Sequence, residues 1–115
     1  MSYLLNIVNT MNQNSKPKNR KTALFKRQRS VLEQLGENIK LARMRRRFSA
    51  TLISQRTGLS RTTINKIEAG NEGVSIGNYL IVLTAVGLGG DLAQVGANDE
   101  LGRKLQDIKT LGRRL

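Results

Sequence analysis

The stretch from residue 49 to residue 70, SATLISQRTGLSRTTINKIEAG, decides the fold of this chain. Serine is a residue type that caps the start of a helix, and Ser49 and Ser60 stand where two starts are needed. Glycine is suited to the left-handed residue that ends a helix, and Gly58 and Gly70 stand at the two ends. The stretch therefore predicts two short helices joined by a tight turn.

The second of these helices has two sides of different character. Ile64 and Ile67 recur at helical spacing and are predicted to face the core, with Ala69 as a further candidate for that side. Two short helices joined by a turn that contains glycine form a helix-turn-helix, in which the second helix fits the major groove of DNA. The remaining residues can hydrogen-bond to base edges and phosphates, and they are Arg61, Thr62, Thr63, Asn65 and Lys66.

The composition of the whole chain also points to a polyanion as the partner. Among 115 residues there are 20 Lys and Arg against 8 Asp and Glu, which gives a net charge of +12. Such an excess on one small domain is typical of nucleic-acid binding, with an anionic membrane surface as the second candidate. The chain has no cysteine and no histidine, which removes disulfides, zinc sites and thiol-based or histidine-based catalysis. We therefore expect no enzyme, no cofactor and no metal site.

The N-terminal segment shows no targeting signal. Its first ten residues, MSYLLNIVNT, have no basic residue ahead of the apolar ones and are interrupted by Asn6 and Asn9, so they fit neither a secretory signal nor a membrane span. We expect a cytoplasmic protein. Residues 11–30 are basic and contain no acid, which is typical of a flexible arm that either contacts DNA or only solubilises the chain.

The pattern predicts an all-α fold of five helices in three parts. A basic, largely flexible arm covers residues 1–30, and a helix-turn-helix DNA-binding and dimerisation domain covers residues 31–96. A C-terminal tail with a short helix covers residues 97–115. The first helix is predicted over about residues 31–46, because four apolar residues there recur at helical spacing, and the second over about residues 50–57. The four are Leu32, Leu35, Ile39 and Ala42.

The fourth helix, IGNYLIVLTAVG after the Ser75 cap, is apolar nearly all round. Such a helix must be covered on more than one side. We assign the stripe of Ile76, Leu80, Leu83 and Val86 to the core of its own domain. A second subunit is predicted to cover the other side, with residues 88–108 folding back as the alternative. The predicted dimer interface comprises Ile81, Val82, Ala85, Leu88 and Leu92.

The C-terminal part of the chain leaves two questions open. Residues 88–96 are too short a segment to distinguish a helix from a strand. A last helix is predicted after a cap at Asn98 or Asp99. Its apolar stripe packs on its own domain or contacts a partner, and it consists of Leu101, Leu105 and Ile108.

From about Leu35 to Leu88 the sequence resembles the Cro/repressor-type helix-turn-helix family. Two positions depart from the family pattern: Ser54 stands where Ala is usual, and Ala50 stands where Gln often helps to touch DNA. The resemblance implies that a partly buried ion pair joins the first and third helices, formed by Arg43 and Glu68. The positions that match the family pattern are Ile39, Arg43, Ser49, Gly58, Ser60, Ile64, Ile67, Glu68 and Gly70.

The C-terminal half resembles a narrower group, the HipB-like antitoxins. The similarity is carried by LTAVGLGGDLA at residues 83–93 and NDELGRKLQDIK at residues 98–109. It implies a homodimer that represses its own operon and binds a HipA-like kinase toxin. A stand-alone repressor without a toxin is the alternative, and a basic RNA-binding protein is disfavoured because exposed aromatic residues are scarce.

The helix-turn-helix reading assigns two classes of DNA contact. We expect base readout by the start of the third helix, where arginine can donate two hydrogen bonds to one guanine. The residues predicted to read bases are Arg61, Thr62, Thr63 and Asn65. Those predicted to contact phosphates are Arg46, Arg47, Ser49, Gln55, Arg56, Ser60 and Lys66.

Overall fold

The computed structural model of this protein describes residues 22–114, and every regular element in that range is helical. The predicted all-α class is confirmed. Short turns separate five α-helices, and one 3-10 helix precedes the last of them. The elements are α1 Lys26–Arg45, α2 Ala50–Thr57, α3 Arg61–Glu68, α4 Ile76–Ala85, the 3-10 helix Gly89–Gln94 and α5 Glu100–Arg114.

The first helix is longer than its sequence pattern predicted. We expected it to begin near residue 31, but α1 begins at Lys26, within the segment assigned to the basic arm. Residues 26–30 are all exposed, so no apolar spacing marks this first turn as helical. The prediction of a flexible arm over residues 1–21 lies outside the described residues.

Contacts at its start explain why α1 extends this far. The backbone N–H of Phe25 donates a hydrogen bond of 3.1 Å to the side chain of Gln28, which satisfies a donor at the helix start. Arg29 makes two hydrogen bonds to the Glu72 carboxylate, of 2.8 and 3.2 Å. The added turn is therefore attached to the loop before α4, a contact between residues 43 positions apart that no local pattern reveals.

One side of each of the helices α1 to α4 contributes to a single core. The isoleucines of α3 are completely buried and belong to one cluster with residues of the other three helices. A helix of eight residues is unstable in isolation, so this packing is what holds α3 in place. The largest fully buried side chains are Ile39, Ile53, Ile64, Ile67, Val82 and Val86.

The fourth helix is rotated about its axis from the predicted orientation. Its buried residues are Tyr79, Val82 and Leu83, whereas the predicted core residues Ile76 and Leu80 are 72% and 41% exposed. The prediction was correct for Leu83 and Val86, which are buried, and wrong for Ile76 and Leu80, because a helix that is apolar on every side carries no periodic signal for the side that faces the core. Val82 belongs to the core of the single chain and is therefore unavailable to the predicted dimer interface.

The other members of the predicted dimer interface lie nearer the surface. Ile81 is exposed, while Ala85, Leu88 and Leu92 are half-buried. A dimer that uses these residues stays a prediction.

Two glycines let α1 approach the end of α3 at backbone distance. A Cβ atom on Gly36 would lie 2.6 Å from the Glu68 carbonyl oxygen and 2.6 Å from the Gly70 nitrogen. Gly70 has a φ of 72°, which glycine adopts without strain, and a Cβ there would collide with the backbone of Leu32. The two glycines therefore set the spacing between α1 and the end of α3.

The segment after α4, residues 88–96, could not be assigned to a helix or a strand from the sequence, and it forms a 3-10 helix. Helix α5 follows Asp99, whose Oδ1 accepts a hydrogen bond of 2.9 Å from the Gly102 N–H. Of the two alternatives for the apolar stripe of the last helix, packing on its own domain is not observed, because the stripe stays 57–68% exposed. Those residues are Leu101, Leu105, Ile108 and Leu111.

Among the described residues, no helix combines the length and the apolar character needed to span a bilayer.

Candidate nucleic-acid interface

Side chains as well as a glycine hold the turn between α2 and α3. Gly58 has a φ of 75°, and its N–H donates to the Ser54 carbonyl. The Ser54 hydroxyl donates a hydrogen bond of 2.6 Å to the Leu59 carbonyl, a bond that alanine at this position could not make. The Thr57 hydroxyl donates to the Ile53 carbonyl at 2.7 Å and accepts from the Leu59 N–H at 3.2 Å. These bonds fix the angle between the two helices.

The packing of α3 determines which of its residues face outward. The Ser60 Oγ accepts a hydrogen bond of 3.1 Å from the Thr63 N–H and so caps the helix. Ile64 and Ile67 are 0% exposed, whereas Ala69, the other candidate for the inner side, is exposed at the helix end. Because these two isoleucines anchor one side, the opposite side is presented to the surroundings. Its exposed residues are Arg61, Thr62, Asn65 and Lys66.

Two of the predicted base-reading residues already make hydrogen bonds within the chain. Thr63 is half-buried, and its Oγ1 lies 3.0 Å from Ser60 Oγ. Arg61 Nη1 donates a hydrogen bond of 2.5 Å to Thr51 Oγ1 on α2. A guanidinium has five N–H donors, so this contact orients Arg61 and still leaves it donors for a base.

Thr51 is the residue that sequence reasoning missed. It is exposed in the first turn of α2, and through Arg61 it joins the start of α2 to the start of α3. A threonine hydroxyl can also contact a phosphate or a base directly. The only sequence signal was its position two residues after the Ser49 cap, which gave no indication of its partner on α3.

The structure places Arg43 and Glu68 in direct contact. Arg43 Nε lies 2.7 Å from Glu68 Oε2, and Nη2 lies 3.0 Å from Oε1, which is the bidentate arrangement. Arg43 Nη1 also donates to the Phe48 carbonyl at 2.9 Å. The hydrogen bond to Glu68 raises the pKa of Arg43, and the two side chains are only 13% and 8% exposed. The pair therefore joins α1, α3 and the turn before α2.

Arg46 and Arg47 lie in the turn from α1 to α2, in different environments. Arg46 Nη1 donates a hydrogen bond of 2.9 Å to the Ala42 carbonyl, and its guanidinium lies beside Gly87. A phosphate that bound Arg46 would have to replace this internal contact. Arg47 is exposed and has a φ of 56°, a left-handed conformation that favours glycine.

The other predicted phosphate contacts are spread over α2 and α3. The Ser49 Oγ accepts a hydrogen bond of 3.0 Å from the Leu52 N–H, so it serves as the cap of α2. The Arg56 guanidinium lies 4.9 Å from the centre of the Phe48 ring, a cation–π contact that orients it. Gln55 is exposed on the same helix. The structure thus brings the starts of α2 and α3 together, while Arg46 is turned towards the end of α4.

Comparison with known protein families gives a match over the helix-turn-helix. A family model described as a helix-turn-helix domain matches residues 34–95, which is more than half of the chain and includes α2, the turn and α3. Residues 98–109, which carry part of the resemblance to HipB-like antitoxins, lie outside the matched region. No curated protein and no solved structure matches the chain. The chain belongs to the helix-turn-helix family of DNA-binding regulators, and α3 stands at the position of the recognition helix.

Proposed function

We propose that this protein is a sequence-specific repressor that binds double-stranded DNA in the cytoplasm, without enzymatic activity and without a cofactor. One observation carries the proposal. Helix α3 buries Ile64 and Ile67 completely while its other side exposes Arg61, Thr62, Asn65 and Lys66. Polar side chains on a rigidly packed helix are what direct reading of the major groove requires. The net charge of +12 adds attraction to phosphates that is independent of sequence.

Arg61 is the residue expected to contribute most to base discrimination. Its contact with Thr51 holds the guanidinium at the end of α3 that enters the groove first. From there it can donate two hydrogen bonds to one guanine, worth about 1–3 kcal/mol of discrimination. Asn65, one turn further along, is a residue type that recognises adenine in the same two-bonded manner.

A repressor of this class is expected to bind an inverted repeat as a homodimer. Two recognition helices related by a two-fold axis would then lie about 34 Å apart, one turn of the double helix. Inverted symmetry in the binding site would therefore mirror the symmetry of the protein.

The experiment begins with selection of a binding site from a random pool of DNA duplexes. Binding to that site is then measured at fixed salt for the wild type and for Arg61→Ala. We expect Arg61→Ala to lose preference at one or two base pairs per half-site, while Arg103→Ala on α5, which removes the same charge from an exposed position, keeps the preference. Unchanged base preference in Arg61→Ala would contradict the assignment of α3 as the reader. Stronger binding to RNA or to anionic vesicles would contradict the proposal as a whole.

A narrower second proposal is that the repressor acts as a HipB-like antitoxin. It rests on the resemblance of residues 98–109 to the tail of that group. Co-expression with a HipA-like kinase should then yield a complex that still binds the selected duplex, and deletion of residues 98–115 tests whether the tail makes the contact. A chain that forms no such complex, yet keeps its base preference, is a stand-alone repressor.

A further inference from the structure

The side chain of Arg61 is held by a second helix, although it lies on the exposed side of α3. Its Nη1 donates a hydrogen bond of 2.5 Å to Thr51 Oγ1, in the first turn of α2. An exposed arginine samples many rotamers and loses that freedom when it is ordered on a partner. The bond to Thr51 orders the guanidinium before any DNA is bound, so less entropy is lost on binding.

The oxygen that accepts this bond has a fixed place in the domain. Ser49 caps α2 by accepting a hydrogen bond of 3.0 Å from the Leu52 N–H, and Ile53 is completely buried in the core. Thr51 lies between these anchored residues, and its β-branched side chain has few rotamers. Its neighbours cannot supply the contact, because the Ser49 Oγ is turned to the Leu52 N–H and Ala50 has no polar side-chain atom.

The bond to Thr51 uses one part of the guanidinium and leaves the part that a base requires. It engages Nη1, whereas Nε and Nη2 form a separate edge with two parallel N–H donors. Such an edge matches the O6 and N7 acceptors of guanine in the major groove. Arg43 shows the same division within this chain: its Nη1 donates to the Phe48 carbonyl, while Nε and Nη2 bind the two carboxylate oxygens of Glu68. A guanine on Arg61 would take the place that the carboxylate has on Arg43.

We propose that Thr51 is a positioning residue for base recognition, which holds Arg61 through Nη1 so that the Nε–Nη2 edge is directed at one guanine. Thr51 thereby determines the base preference at one base pair per half-site without contacting that base. The inference deepens the proposed function and rests on it, because it requires Arg61 to enter the major groove. It gives α2 a part in sequence reading in addition to its packing against α3.

Positioning differs from a simple contact between Thr51 and the DNA backbone. A threonine hydroxyl has one donor and two acceptor lone pairs, so it can accept from Arg61 and still donate to a phosphate oxygen. A phosphate contact alone would strengthen binding to every sequence alike, since phosphates carry no sequence information. Positioning of Arg61 affects only the base pair that Arg61 reads. The two roles therefore predict different changes when the hydroxyl is removed.

The first test removes the hydroxyl and keeps the shape of the side chain. Thr51→Val is compared with the wild type on the selected duplex and its single-base variants at fixed salt. We expect discrimination at the base pair read by Arg61 to fall about three- to tenfold, as for the loss of one hydrogen bond, with the other base pairs unchanged. Thr51→Ser keeps the hydroxyl and should keep the discrimination. Thr110→Val, the same change at an exposed position of α5, is the matched control and should have no effect.

The second test asks whether the effect of Thr51 passes through Arg61. In a chain that already carries Arg61→Ala, Thr51→Val should cause no further loss at this base pair, because the residue that it positions is absent. A further loss there, a loss at a different base pair, or a uniform weakening with unchanged base preference would overturn the proposal and make Thr51 a direct contact. Urea unfolding midpoints verify that each variant is folded.

The third test needs no DNA. Nitrogen-15 NMR of the protein alone should show slower rotation of the Arg61 guanidinium in the wild type and in Thr51→Ser than in Thr51→Val. Equal rotation rates in all three would overturn the proposal, because the bond would then not restrict Arg61 in solution.

The failure of this inference is distinct from the failure of the proposed function. Loss of base preference in Arg61→Ala with unchanged preference in Thr51→Val would overturn the role of Thr51 and leave the repressor function intact. Unchanged preference in both variants would reject α3 as the reader and the positioning with it. Slow rotation of Arg61 together with that second result would mean that the contact between Thr51 and Arg61 only joins the two helices.

Discussion

Helices α3 and α5 are both amphipathic, yet only α3 buries its apolar side within one chain. Ile64 and Ile67 of α3 are 0% exposed, while Leu101 and Leu105 of α5 are 68% and 57% exposed. The eight residues of α3 are too few for a stable isolated helix, and it exists because the surrounding helices cover it. The fifteen residues of α5 form the longer helix, with its apolar side uncovered in the single chain.

This difference separates two tasks. The reading of bases requires side chains held in one orientation, and the core and the Arg43–Glu68 pair supply that rigidity for α3. Association with another chain requires an apolar surface that stays accessible, and the apolar side of α5 stays accessible in the single chain. The contrast can be tested by substitutions that should affect one helix and spare the other.

The largest expected effect is on the buried side of α3. Ile64→Ala should lower the free energy of unfolding by about 2–5 kcal/mol, because it removes three carbon atoms from a fully buried position and leaves a cavity. Leu105→Ala should cost less than about 0.5 kcal/mol in dilute protein, as for other exposed positions. Urea unfolding at two protein concentrations measures both. An increase in the Leu105→Ala loss with concentration would show that a second copy covers the stripe, and equal losses for both variants would contradict the comparison.

The next effect concerns the polar attachment of α3. Glu68→Ala should cost about 3 kcal/mol, since it leaves the nearly buried Arg43 guanidinium without its carboxylate. Arg29→Ala is the control, because it breaks a second Arg–Glu pair whose arginine is 44% exposed, and it should change the unfolding midpoint far less. Comparable losses for the two variants would mean that the Arg43–Glu68 pair is no more important than a surface contact.

A smaller effect is expected where α1 touches the end of α3. Gly36→Ala should cost about 1–3 kcal/mol, because the added methyl would lie 2.6–2.7 Å from backbone atoms that cannot move aside. Gly112→Ala on α5 meets nothing within 4 Å and should increase helix content without destabilising the domain. Unfolding midpoints and circular dichroism distinguish the two outcomes. A tolerated Gly36→Ala would show that α3 is held less tightly than its distances indicate.

The parts of the fold that could be predicted from sequence are those fixed by local chemistry. Ser49, Ser60 and Ser75 each accept the hydrogen bond expected of a cap, and Gly58 adopts the left-handed conformation that ends α2. These signals operate within three or four residues. They were sufficient to place the starts of α2, α3 and α4 at the observed residues.

The parts that could not be predicted depend on contacts between distant residues. The early start of α1 involves Glu72, and the rotation of α4 follows from the shape of a core to which it offers apolar residues on every side. In the candidate site, the exposed side of α3 followed from its periodicity. The contact between Arg61 and Thr51 did not, because it depends on the angle between two helices.

The smallest effect is expected at Arg47, a non-glycine residue in the left-handed backbone conformation that favours glycine. A φ of 56° costs a non-glycine residue about 1–2 kcal/mol, and part of the gain from glycine is offset by its greater freedom in the unfolded chain. Arg47→Gly should therefore raise the free energy of unfolding by about 1 kcal/mol. If Arg47 contacts a phosphate, the same variant should bind all DNA sequences less tightly and reduce the salt slope by about one unit.

Arg47→Ala separates the two consequences of that substitution. It removes the same charge but keeps a Cβ in the left-handed conformation, so it should weaken DNA binding as Arg47→Gly does without the gain in stability. Both variants should leave base preference unchanged, in contrast to Arg61→Ala. Urea unfolding together with binding at several salt concentrations tests each step. If the Arg47→Gly protein were more stable and bound DNA with an unchanged salt slope, Arg47 would not be a phosphate contact. Phosphate binding would then not explain why an arginine occupies a backbone position in the left-handed conformation.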